Sequence, residues 1–432
     1  MATAEGRRSA ALQALGAALV GAGVFAIADH GLLGRTGRIL LTESPWMTSA
    51  ASTPHRVREG ALLSKLGHDP GATAAYVGPA AIAHVVSAAQ TLCGPAHLHT
   101  WTDHTARAMW MVSAALLVLF CASATRLARN VLGSSTGVLP LPTVAACALA
   151  GFSAHTGLPS LAASAGAVTG AAVLSQPDAN LGAVLFASAS AGALVVQGGL
   201  VTTAALAAPL PALAAMYAGE ARAALAGSVA ASGLAAGVAG GALASWTGSA
   251  APALATVDPV LSLGWYASAL LWARDARWFG TLTAAFPVAV SLAATVRYGR
   301  STPLVAVVVA AGAAAVAGPG TCLADLALFL AALGPAMAAA PRRVPMAAFA
   351  GAAMAWAVML AAAAQYAWEE MGIGNANYLF AASLTLAGAV MVLSLQTAGA
   401  FGPEAEGPAG RAARRGGPRR AGPGEDYHEK RL

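Results

Sequence analysis

The sequence predicts an all-α fold: a polytopic bundle of transmembrane helices, roughly ten to twelve spans in a transporter-like arrangement. Three observations predict it. Only 10% of the 432 residues are charged while 57% are hydrophobic, and the mean hydropathy is +0.65, so a charged, water-facing surface cannot be built. From Gly71 to Ala400 the chain rarely leaves the apolar register. Runs such as 114–120 and 304–310 are apolar at every position, where a membrane β-strand would alternate. Backbone amides and carbonyls must be paired internally in hydrocarbon, so such runs cross as helices. The first partner is therefore the lipid bilayer.

The elements follow in order. Arg7 and Arg8 precede an apolar stretch at 9–28, which reads as a signal anchor or, since Ala26-Ile27-Ala28 has the small-x-small form, a cleaved signal peptide. Residues 29–70 form a polar connection rich in Arg, Ser and Pro, expected on the non-cytosolic side, with a short helix around Leu62 to Leu66. Apolar stretches then occupy 71–93, 106–125, 137–155, 159–176, 180–199, 201–217, 222–246, 256–273, 278–296, 302–319, 321–340, 346–365 and 377–400. Several fall short of the roughly 20 residues that cross hydrocarbon, and pairs split only by Gly or Pro read either as two spans or as one kinked helix. Residues 1–400 thus form the membrane domain. The remainder, 401–432, is Gly-, Pro- and Arg-rich with almost no large apolar residue, and reads as a disordered tail held in the cytosol by the positive-inside rule. The chain's net charge is +6, and Arg411, Arg414, Arg415, Arg419, Arg420, Lys430 and Arg431 cluster in this tail. Counting back, Arg342-Arg343 and Arg297/Arg300 fall inside, and Glu369-Glu370 outside. Arg126, Arg129, Arg222, Arg274 and Arg277 fit that alternation poorly.

Cys93, Cys121, Cys147 and Cys322 form no CxxC pair, so neither a disulfide framework nor a metal site is expected. P-loop, dinucleotide, HExxH and GxSxG signatures are missing. No enzymatic activity, cofactor or nucleic-acid partner is expected. Glycine repeats at helix-packing spacing, Gly166/Gly170 and Gly233/Gly237/Gly241, favour close helix contact. Aromatics at Trp265, Tyr266, Trp272, Trp278, Tyr366, Trp368 and Tyr378 sit near the ends of apolar stretches and read as an interfacial belt.

Ionisable and polar groups at membrane depth are the candidate site residues. Asp325, early in 321–340, suits a cation, a proton or a polar substrate group, or else rests in water at the interface after Pro319-Gly320. His84 lies mid-way along 71–93, as a protonatable gate or a neutral hydrogen-bonded ring. Gln197 adjoins Gly198-Gly199, where a broken helix would line a cavity. Gln365 is expected to reach headgroups. The carrier reading requires Asp325, Gln197 and His84 to converge.

The Arg7-Arg8 pair, the polar loop 29–70, the Ala/Gly-rich bundle and the Arg-rich tail together resemble a family: the multi-pass envelope proteins of alphaherpesviruses, which are distantly similar to equilibrative nucleoside transporters. The resemblance implies a viral envelope protein in host membranes and the virion, meeting envelope or tegument proteins through its tail. It also implies facilitated diffusion of a small polar solute such as a nucleoside. A non-transporting membrane scaffold and a GC-rich bacterial secondary transporter are the alternatives.

Overall fold

The computed structural model describes residues 12–13, 15–24, 54–68, 84–89, 101–132, 139–153, 158–174, 263, 265–266, 286–287, 289–298, 302–317, 322–339, 344–373 and 375–401. All regular structure among them is helical. In chain order the main helices are α1 (Leu15–Val24), α2 (Pro54–Lys65), α3 (Trp101–Leu132), α4 (Leu141–Ser153), α5 (Leu158–Leu174), α6 (Pro303–Ala317), α7 (Leu323–Ala339), α8 (Ala347–Gln365) and α9 (Ala376–Phe401). A π-helical turn, Tyr366–Glu370, extends α8. The protein is a multi-pass integral membrane protein: Ala108–Leu132, Ala347–Trp368 and Ala376–Phe401 are each long and apolar enough to cross a bilayer. The spans expected within 180–246, the Gly233/Gly237/Gly241 repeat and the Arg-rich tail lie outside the described residues.

The long helix α3 shows why the spans have their lengths. Its uncharged stretch runs between Arg107 and Arg126, about 28 Å at 1.5 Å per residue, the thickness of the hydrocarbon layer. The helix does not stop at the charges. It continues to Leu132 because polar groups on its last turns bind α5: Ser123 Oγ lies 2.8 Å from Thr169 Oγ1, and Asn130 Nδ2 donates to the Ala172 carbonyl at 2.8 Å. Several hydroxyls bond within their own helix. Thr125, Thr169, Ser383 and Thr397 each donate to the carbonyl four residues back, as hydrocarbon demands.

At the centre lies α7. It is apolar on every side and buried from Leu323 to Phe329 and from Ala331 to Ala336, the signature of a helix with no solvent or lipid face. Around it pack α4, α6, α3 and α5, with Phe120, Leu127, Leu161, Phe329 and Leu333 filling the space between. Being enclosed by protein, α7 need not match the bilayer's thickness, and its 17 residues span about 26 Å. Pro335 interrupts its hydrogen-bond ladder by removing the N–H that would reach the Ala331 carbonyl. Beside that break a Cβ on Gly334 would sit 2.3 Å from Thr143 Oγ1; only glycine allows α4 so close. The same device docks α1, where a Cβ on Gly151 would meet the Gly21 carbonyl oxygen at 2.3 Å.

The last two helices form an antiparallel hairpin. On α8 the buried apolar positions are Ala350, Met354, Ala357, Ala361 and Ala364, spaced alternately four and three, a seam mostly of alanine that lets α9 approach by dispersion contact. The buried residues of α9 include Leu379, Leu386, Val390 and Leu393, and α9 packs on α6 as well as on α8. The far end is pinned where the Met346 N–H donates to Gln396 Oε1 at 3.2 Å. The outward side of α8 carries Phe349, Trp356 and Met359, each at least 60% exposed; these are the residues lipid wets.

Within the polar connection, helix structure begins at Pro54, well before the expected turn at Leu62 to Leu66. Pro suits a first helical position because its missing N–H has no intrahelical partner there. The helix closes on Gly67, whose φ is +78°. Gly67 N–H donates to the Ser64 carbonyl at 3.1 Å and His68 N–H to the Leu63 carbonyl at 2.9 Å, a Schellman closure that ends the helix firmly.

Candidate functional site

Polar and aromatic side chains concentrate where α8 ends, α9 begins and Leu263, Trp265 and Tyr266 lie alongside. Leu263 N–H donates to the Val316 carbonyl at 3.1 Å, occupying one of the carbonyls that α6 leaves open at its C-terminus. Tyr266 stacks on Phe380, ring centroids 4.1 Å apart and planes 13° from parallel. Its hydroxyl donates to Asn377 Oδ1. Trp265 meets Tyr266 edge to face at 5.5 Å and is only 4% exposed, with no hydrogen-bond partner for its Nε1–H among the described residues.

The supporting frame is local. Asn375 Oδ1 accepts the Asn377 N–H at 2.9 Å, the cap that starts α9, and so fixes the residue whose side chain meets Tyr266. At the end of α8, Gln365 is buried, and the helix widens into the π turn, a feature frequent at functional sites. Gly372, with φ +64°, lets the chain reverse: Met371 N–H donates to the Tyr366 carbonyl at 3.1 Å and Ile373 N–H to that of Ala367 at 3.0 Å. Tyr366, Met371, Ile373 and Tyr378 remain exposed around this end. Among the described residues no group of three or more His, Cys, Asp and Glu could hold a metal.

The expected site residues lie elsewhere. Asp325 is 4% exposed, and its Oδ2 accepts the Cys322 N–H at 2.9 Å while the Cys322 carbonyl accepts the Asp325 N–H at 3.1 Å. The carboxylate thus caps the first turn of α7, where the helix dipole also favours negative charge. His84 is exposed and hydrogen-bonds through Nδ1 to Ser64 Oγ at 2.8 Å. Its short helix, 84–89, contributes Val86 and Ala89 to a small cluster with Val57, Ala61, Ala108 and Met109, whereas the helix of Asp325 belongs to the main core. Gln197 lies outside the described residues. Gln365, expected among headgroups, is buried instead because the π turn carries the helix beyond it. The Trp265–Tyr266–Phe380–Asn377 cluster was visible in sequence only as separate interfacial aromatics; no spacing linked residues more than a hundred positions apart.

The family model described as "GPI transamidase subunit PIG-U" matches residues 250–386, less than half of the chain. No curated protein matches the chain significantly. The matched region contains α6, α7, α8, the π turn, the start of α9 and all four residues of the aromatic cluster. This match overturns the resemblance to alphaherpesvirus envelope proteins and nucleoside transporters, and with it the viral envelope location, the envelope and tegument partners and the small polar solute. The scaffold and bacterial-carrier alternatives fall as well. The reason is physical: an Arg pair, a polar loop, an Ala/Gly-rich bundle and an Arg-rich tail are what any GC-rich multi-pass chain shows, whereas a family model scores residues position by position.

Proposed function

We propose that this protein is a membrane-embedded subunit of a GPI transamidase-type complex, resident in the endoplasmic reticulum membrane and acting beside other protein subunits. The observation that carries the reading is coincidence in place. The region that matches the family also holds the aromatic and amide cluster with its capped helix start and π turn. We further propose that the chain performs no bond-making step of its own. Cys121, Cys147 and Cys322 are fully buried in apolar surroundings, where a thiol behaves as a small hydrophobe, and the cluster offers hydrogen bonds and ring faces without a nucleophile.

Two measurements test the reading. The tagged full chain, purified in mild detergent, should bring down the remaining subunits of the complex. Expressed in cells lacking their own PIG-U, it should restore surface display of a GPI-anchored reporter. A well-expressed chain that captures no such subunit and restores no display refutes the proposal.

A further inference from the structure

α2 and the short helix at 84–89 have no place in the main core. Their apolar residues Val57, Ala61, Val86 and Ala89 pack on Ala108 and Met109, with Val112 and Leu116 at the margin. Those four are the first turns of the span Ala108–Leu132. The pair is therefore fixed at the depth where α3 enters the hydrocarbon. Trp110, about half exposed on the next position, marks the same level, since tryptophan gathers at the membrane interface.

The other side of this unit is not the surface of a water-facing loop. Leu62, Leu66 and Val85 are 37%, 62% and 48% exposed. Next to them stand Lys65, exposed, and Arg58, partly exposed, on the same helix, with Ser64 bonded to His84 across the pair. With 12 residues, α2 reaches about 18 Å, too short to cross, and the Gly67 closure stops it there. Apolar groups beside cations on a short helix at interfacial depth suit a bilayer surface that is itself apolar below and anionic above.

We propose that α2 and residues 84–89 form an interfacial foot. It lays Leu62, Leu66 and Val85 into the headgroup–acyl boundary of the leaflet at the N-terminal end of the α3 span. Lys65 and Arg58 face the phosphates of anionic phospholipids. The inference rests on depth, exposure and charge, and is independent of the family match.

The test uses the full chain in nanodiscs of phosphatidylcholine containing a quarter phosphatidylserine. The photo-crosslinker p-benzoylphenylalanine is placed singly, as Leu66→p-benzoylphenylalanine and Val85→p-benzoylphenylalanine, with Phe349→p-benzoylphenylalanine as the lipid-facing reference. Mass spectrometry of the adducts should show phospholipid at 66 and 85, as at 349. At 66 the ratio of phosphatidylserine to phosphatidylcholine adducts should exceed the bulk ratio roughly two- to five-fold, the effect of one or two cations near an anionic surface. In the Arg58→Gln/Lys65→Gln background the adducts should persist while their composition returns to the bulk ratio. Water-quenched or protein-only products at 66 and 85, with lipid adducts at 349, would overturn the proposal. An unchanged phosphatidylserine excess in the double variant would remove the cations' role.

Discussion

Asp325 separates two meanings of a buried carboxylate. As a ligand for a cation it would need its charge; as the cap of α7 it needs an acceptor oxygen at the position of Oδ2. Asn keeps such an oxygen and Ala does not. Asp325→Asn should therefore lower stability by well under about 1 kcal/mol, while Asp325→Ala leaves the buried Cys322 N–H unpaired and costs about 1–3 kcal/mol. Unfolding titrations in mixed micelles give both values, and equal losses for the two variants would contradict a capping role. Glycines divide in the same way. Gly334 has Thr143 Oγ1 where a Cβ would go, at 2.3 Å, whereas Gly351 has nothing within 4 Å. Gly334→Ala should destabilise by about 1–3 kcal/mol through overpacking, and Gly351→Ala should be neutral or stabilising by up to about 1 kcal/mol through helix propensity. The sequence shows both as glycines in apolar helices; only the approach of α4 tells them apart.

The aromatic cluster and the α8–α9 seam act as elements. Tyr266→Phe keeps the stack on Phe380 and removes the bond to Asn377, a loss of about 1 kcal/mol. Phe380→Ala removes the stack and should cost about 3–5 kcal/mol. A cycle of Tyr266→Phe with Asn377→Ala should be non-additive, since each variant deletes the same bond; strict additivity would mean the two groups do not interact. On α8, Ala357→Leu forces bulk into a seam built for small residues and should destabilise the hairpin by about 1–3 kcal/mol, while Trp356→Leu on the lipid side should stay within about 0.5 kcal/mol. Element positions themselves were legible in the chain. The stretches 302–319, 321–340, 346–365 and 377–400 correspond to α6, α7, α8 and α9 within three residues at each end, because Gly, Pro and charge punctuate them. What stayed hidden was orientation. Protein-facing and lipid-facing positions are both apolar, so the burial of α7 and the outward face of α8 leave no periodic signal. The π turn was hidden too, since Tyr366–Glu370 continues an ordinary helical pattern.

At the scale of the molecule, the family match and the core have different boundaries. Residues 250–386 contain α7, yet α7 packs on α3, α4 and α5, all outside the match. Phe120 and Leu127 of α3 and Leu161 of α5, among the largest fully buried side chains, come from the N-terminal half of the chain. The Ser164 hydroxyl also crosses the boundary, donating to the Ala324 carbonyl at 3.1 Å. Separating the halves would expose the α7 side that now meets protein, with its close-approach glycine at Gly334 facing an empty groove. In lipid that loss is one of packing and of hydrogen bonds rather than of hydrophobic burial, because acyl chains are as apolar as leucine. Residues 250–432 expressed alone should thus insert but fail to hold a single compact form, appearing as aggregates on size exclusion and as rapidly digested material in limited proteolysis. Co-expression with residues 1–249 as a second chain should recover a monodisperse pair that co-purifies through either tag. Weakening the contact by Ser164→Ala together with Leu161→Ala should reduce that recovery several-fold. A protease-resistant, monodisperse 250–432 fragment would show instead that the matched region is a folding unit in its own right, with α7 needing only lipid around it.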